Sequence, residues 1–159
     1  MAIPNPWRVA EMGCIVGIDP GQVRIGVAIS DEERSIAFPR ETVRAKGGTA
    51  EAARRVREAL ADDEVSLAVV GLPLRLDGTE GEAARRAREF GGVLAAALAV
   101  EVVYWDERLT TVAAERSLRE MGRRGVKQRE VVDQSAATIL LQGYLDANKG
   151  GTWTDPDGL

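Results

Sequence analysis

A chain of 159 residues, 45% hydrophobic and 29% charged, fits one domain with a single core. It has no histidine and one cysteine, which excludes Ser-His-Asp and Cys-His catalysis, the usual zinc sites and any internal disulfide. The net charge of −4 does not announce a nucleic-acid partner, and no apolar run reaches the roughly eighteen residues of a membrane span.

Residues 1–12, "MAIPNPWRVAEM", lack the apolar run of a secretory signal and read as a flexible leader, with Met12 an alternative start. The lone Cys14 fits a reducing, cytoplasmic setting and reads as inert core. Ile15 to Asp19, Arg24 to Ser30 and Ile36 to Val43 form a predicted antiparallel meander, with "DPGQV" and "DEER" as turns. Thr49 is placed to cap a helix through Ala53, Val56 and Leu60. "VSLAVVGLP" is a buried parallel strand bounded by Gly71 and Pro73. Thr79 and Glu82 then have capping-box spacing before the helix "EGEAARRAREFGGVLAAALA". "VEVVYWDER" is the fifth strand. Thr110 or Thr111 is placed to cap a helix with the stripe Ala114, Leu118 and Met121, and a last helix covers about Arg129 to Asn148. The order βββαβαβαα predicts an α/β fold with a mixed five-stranded sheet and helices on both faces, over residues 13–148, followed by a polar tail at 149–159.

Charge is unevenly spread. Between Arg108 and Glu130 basic residues, among them Arg123, Arg124 and Lys127, outnumber acidic ones, either as a solvated face or as a place where nucleic-acid backbone meets positive charge.

Three carboxylates stand out. Asp19 ends a strand that reads as buried, where an unpaired charge is costly, so a metal ion, a metal-bridged phosphate or a capping role must compensate it. Asp106 and Glu107 end the fifth strand, and alternation sends only one of them to a given face. Asp133 shares a helix face with Ala137, Leu140 and Tyr144, near the positive end of the helix dipole. Acidic residues from separate segments, without histidine, suit hard divalent cations, and two such ions can drive phosphodiester hydrolysis.

"GIDPGQVRIGVAISD", "VVGLPLRLDGTEG", "DERLTT" and "VVDQSAATILLQGYLD" together resemble the YqgF (RuvX) family, the pre-16S rRNA nucleases that are themselves similar to Holliday junction resolvases. The resemblance implies an RNase H-like fold, a nuclease dependent on Mg²⁺ or Mn²⁺ in a two-ion site, and maturation of the 5′ end of 16S rRNA by a monomer or homodimer. It assigns Asp19, Glu107 and Asp133 as catalytic metal ligands. Gly21 would let backbone approach closely, Arg24 and Arg108 would hold phosphate or neutralise the acidic centre, and Arg123, Arg124 and Lys127 would meet the incoming strand. A junction-cleaving DNA nuclease and a non-catalytic RNA-binding ribosome-assembly module are the competing expectations.

Overall fold

The computed structural model describes residues 13–109 and 136–148 in full and the backbone of residues 126–135. β1 (Cys14–Pro20) and β2 (Arg24–Ser30) form an antiparallel hairpin in which Asp19 lies opposite Gly26. The expected third strand is two strands, β3 (Ala37–Pro39) and β4 (Val43–Arg44), both paired with β2. Pro39 lies opposite Ala28 but Val43 opposite Ile25, so four residues of chain on one side match three on the other. That extra residue is a bulge, and alternation of side chains does not reveal it beforehand.

Helix α1 (Thr49–Ala59) leads to β5 (Val65–Leu72), which runs parallel to β1. Helix α2 (Glu82–Leu98) then returns the chain to β6 (Glu101–Asp106), parallel to β5. A single turn of 3₁₀-helix follows at Glu107–Leu109, and helix α3 spans Val126–Ala147. The sheet order is β3-β2-β1-β5-β6 with β4 beside β2, giving six strands where five were expected. The predicted helix after β6, with Thr110, Thr111, Ala114, Leu118 and Met121, lies outside the described residues, as do the leader and the tail.

Two main cores form because apolar residues of adjacent strands alternate between faces, and a small third cluster joins Leu72 to Ala84 and Ala87 of α2. Val16, Ile18, Ile25, Val27 and Val70 meet Ala53 and Val56 of α1 and Phe90 and Leu94 of α2. On the other face Ile15, Ala28, Leu67, Val69 and Trp105 meet Ala137, Leu141 and Tyr144 of α3. Trp105 and Tyr144 pack edge to face, with ring centroids 5.4 Å apart. Helices therefore cover both faces, as expected.

Neither predicted threonine caps its helix. Gly48 and Gly81 occupy the N-cap positions of α1 and α2, with no side-chain cap hydrogen bond. Thr79 instead closes a turn on Asp77, its hydroxyl donating at 2.6 Å and its N–H at 3.0 Å to the same carboxylate oxygen. A side chain so short can satisfy its own loop or the helix beyond, and the local turn wins here.

Candidate active site

The odd positions of β1 face α3, so the parity of Ile15 carries Asp19 to that face at the carboxyl end of the strand. Asp19 is only 7% exposed, and among the described residues it is the single Asp, Glu, Lys or Arg that is buried. The turn after it is tight. Gly21 N–H donates to the Arg24 carbonyl at 3.0 Å, and a Cβ on Gly21 would collide with that same oxygen. Glycine is required at position 21 by the turn itself.

At the end of β6 the two neighbouring carboxylates part. Val103 and Trp105 face α3, while Val102 and Tyr104 pack on the opposite face, whose parity Asp106 continues. Asp106 accepts from Arg108, from the backbone N–H at 2.9 Å and from the guanidinium at 2.8 to 3.1 Å. Burial raises the pKa of Asp106, but the Arg108 hydrogen bonds and charge outweigh it and hold the carboxyl below its ordinary range. Arg108 is raised in turn, chiefly by that hydrogen bond. The guanidinium also reaches the Leu76 carbonyl at 3.4 Å, which ties the β5–α2 loop to the end of β6. Arg108 is thus paired with Asp106, the carboxylate that faces away from Asp19.

Glu107 opens the 3₁₀ turn and lays its carboxylate over Gly71 on the α3 side. A Cβ at position 71 would stand 2.7 Å from Glu107 Oε1 and 3.4 Å from Leu140 Cδ1. The absence of a side chain on Gly71 makes the space that the carboxylate occupies.

Asp19 and Glu107 line one open cavity of about 550 Å³ at the carboxyl end of the sheet, with Gly21 and Gln22 from the hairpin turn, Gly48 and Thr49 from the start of α1, and Pro73 and Arg86; the rest of its wall, Ile25, Ala52 and Phe90 among it, belongs to the face that α1 and α2 cover. Ligand sites of open α/β sheets gather at this end. Arg24 lines a smaller neighbouring cavity. Asp133 stands in α3 seven residues, or about two turns, before Leu140. Its side chain and that of Lys127 lie outside the described residues, as do Arg123 and Arg124 altogether. Among the described residues no three His, Cys, Asp or Glu side chains gather as a metal site. Cys14 is partly buried, and burial and nearby acids push its thiol pKa up. Gln22, Gly48, Thr49 and Arg86 were not foreseen. Their only sequence signal is nearness to a glycine or a helix start.

A family profile described as RuvX, Holliday junction resolvase, matches residues 13–147. The chain belongs to the RuvX family. A RuvX relative from Agathobacter rectalis is 45% identical over 134 residues, covering 83% of this chain and 94% of its own. Another, from Nocardioides sp., is 49% identical over 140 residues, covering 86% and 90%. Both carry the name "Putative pre-16S rRNA nuclease". The RuvX fold is similar to that of Thermus thermophilus RuvC solved with a Holliday junction substrate, with a TM-score of 0.54 and 18% identity over 87% of this chain and 96% of that one. At that identity the likeness is one of fold, and the fold is the expected RNase H-like one. Among the described residues no helix is long and apolar enough to cross a membrane.

Proposed function

We propose that this RuvX-family nuclease hydrolyses phosphodiester bonds of structured nucleic acid at the Asp19–Glu107 cavity, with the 5′ end of pre-16S rRNA as its cytoplasmic substrate. The observation that carries this reading is the arrival of Asp19 and Glu107, from strands apart in sequence, at one open cavity beyond the strand ends. The names of the relatives support the substrate.

RuvC-like nucleases depend in general on divalent cations, and the donors here fit such an ion. Asp19 and Glu107 offer hard anionic oxygens, one of them buried, and the missing Cβ of Gly71 gives Glu107 its place. Asp133 is proposed as the third ligand. A pair of Mg²⁺ or Mn²⁺ ions held there would supply an activated water and stabilise the leaving oxygen. The protein holds the carboxylates at fixed positions, keeps Asp106 out of the set by pairing it with Arg108, and seats the strand through Gly21 and Arg24. Arg123, Arg124 and Lys127 draw in the backbone. Residues 13–148 form the nuclease domain, acting as a monomer or homodimer.

Incubation of the purified protein with precursor rRNA and with a four-way DNA junction, in Mn²⁺, Mg²⁺ or chelator, tests the reading. Metal-dependent cleavage of the RNA is expected. The family's resolvase description favours a second reading, cleavage of branched DNA, which predicts junction cleavage by a dimer. Binding without cleavage, unaffected by chelator, would make the protein an assembly module and reject both.

A further inference from the structure

Beside the carboxylate cavity lies a second one of about 280 Å³, lined by Gln22, Val23, Arg24, Arg44 and Lys46. Gln22 lines both. Arg24 and Arg44 are direct cross-strand partners in the β2–β4 ladder, so their side chains share a face. That face is the one carrying Asp19, because Asp19 is opposite Gly26 and Arg24 is two residues from Gly26 on the same strand. Arg44 and Lys46 are exposed, and among the described residues neither pairs with a carboxylate. The segment holding them is nevertheless fixed, because the Arg55 guanidinium donates to the carbonyls of both Arg44 and Lys46. Blunting an edge strand needs one charge and no partner across the ladder.

The 11-residue helix α1 starts at the wall of the carboxylate cavity with Gly48 at its N-cap and no side-chain cap bond.

We propose that Arg24, Arg44 and Lys46 form a groove that binds the phosphodiester backbone of the substrate strand flanking the scissile bond, delivering it past Gln22 and the start of α1 to Asp19 and Glu107. The groove rests on the nuclease reading for the chemistry in the adjoining cavity. It lies at the β2–β4 edge. Its contacts are to phosphate, so it distinguishes neither sequence nor sugar.

The test is binding of a labelled single-stranded RNA, and of DNA of the same sequence, in chelator and across a salt series, by wild type, by Arg44→Gln/Lys46→Gln and by the charge-matched control Arg54→Gln/Arg85→Gln. The control side chains sit on exposed helix faces beside their own glutamates. The groove variant is expected to lose affinity at low salt for both probes, with the slope of log affinity against log salt falling by about 1.4, or about 0.7 per phosphate contact. The control is expected to keep the wild-type slope. If Arg44→Gln disturbs the sheet edge in thermal melts, Lys46→Gln alone, in an exposed loop, should still lower the slope by about 0.7. An unchanged slope, an equal fall in the control, or no binding by wild type overturns the groove. Cleavage by wild type with an unchanged slope rejects the groove and keeps the nuclease. A groove-dependent slope in a protein that cleaves neither RNA nor junction rejects the nuclease and keeps the groove.

Discussion

Strand alternation implied that Asp106 and Glu107 diverge but could not say which one meets Asp19, because parity is lost where the strand ends and the 3₁₀ turn begins. The hydrogen bonds decide the placement: Asp106 is held by Arg108, and Glu107 lies over Gly71 on the cavity wall. Asp19→Asn and Glu107→Gln are therefore expected to abolish cleavage while melting near wild type, since a neutral amide does not replace an anionic ligand. Cleavage by either folded variant would remove that residue from the ligand set. Asp106→Asn should keep most activity and lose stability instead. The Asp106 carboxyl is depressed in the folded protein, so its contribution is present above the unfolded pKa and lost as pH falls through the folded one. Melts of wild type and Asp106→Asn should thus differ at neutral pH and converge in acid, and a constant difference would reject the ion pair as the cause. Gly71→Ala separates function from folding at the same place. Its Cβ would press on Glu107 Oε1 from 2.7 Å, so cleavage should fall far more than melting temperature, and full activity would show that Glu107 is free to move without consequence.

The antiparallel opening hairpin, the mixed sheet and the helices on both faces follow from apolar periodicity, so the sequence alone carries them, whereas the strand order β3-β2-β1-β5-β6 depends on pairings that periodicity does not encode. The bulge between β3 and β4 and the ends of the helices are not encoded in it either, because they depend on which of several competing local hydrogen bonds is made. Thr79 has the spacing of a cap yet bonds Asp77, and lowers the Asp77 pKa by doing so. The groove of Arg24, Arg44 and Lys46 was hidden for the same reason, since the bulge sets the register that pairs Arg24 with Arg44. The two glycine N-caps are chemically alike but conformationally opposed. Gly81 has φ −108° and ψ −158°, extended backbone open to any residue, whereas Gly48 has φ 95° and ψ 170°, a region nearly restricted to glycine. Gly81→Asp should raise stability by a few tenths to about 1 kcal/mol, its carboxylate capping α2 as the end of Arg75 shifts aside. Gly48→Ser should lower it by about 1–3 kcal/mol although serine is a good N-cap residue. Denaturant titrations of both variants check this, and a gain from Gly48→Ser would contradict the left-handed cap.

The negative charge gathered at one end of the sheet should make the stability of the entire protein depend on divalent cations, and Asp133 is the residue at which that coupling is best tested. Its helix is pinned to the sheet by Ala137, Leu141 and Tyr144, so its backbone position is fixed by a core that owes nothing to the carboxylate. Two roles were compatible with its sequence, a metal ligand and a partner for the helix dipole, and they predict opposite linkage. For a ligand, Asp133→Asn relieves repulsion from Asp19 and Glu107 in the metal-free protein, so stability in chelator should hold or rise. The same change weakens ion binding to the native state, so the stabilisation gained on adding Mn²⁺ should shrink, following the logarithm of ion concentration over its dissociation constant. For a dipole partner, Asp133→Asn should cost about 0.3 to 1 kcal/mol with and without metal alike. Thermal melts of wild type and Asp133→Asn, each in chelator and in Mn²⁺, separate these outcomes without any assay of cleavage. Asp19→Asn run beside them shows what loss of a proposed ligand looks like in this protein. If Asp133→Asn loses equal stability in both conditions and still cleaves RNA, the centre rests on Asp19 and Glu107 without it.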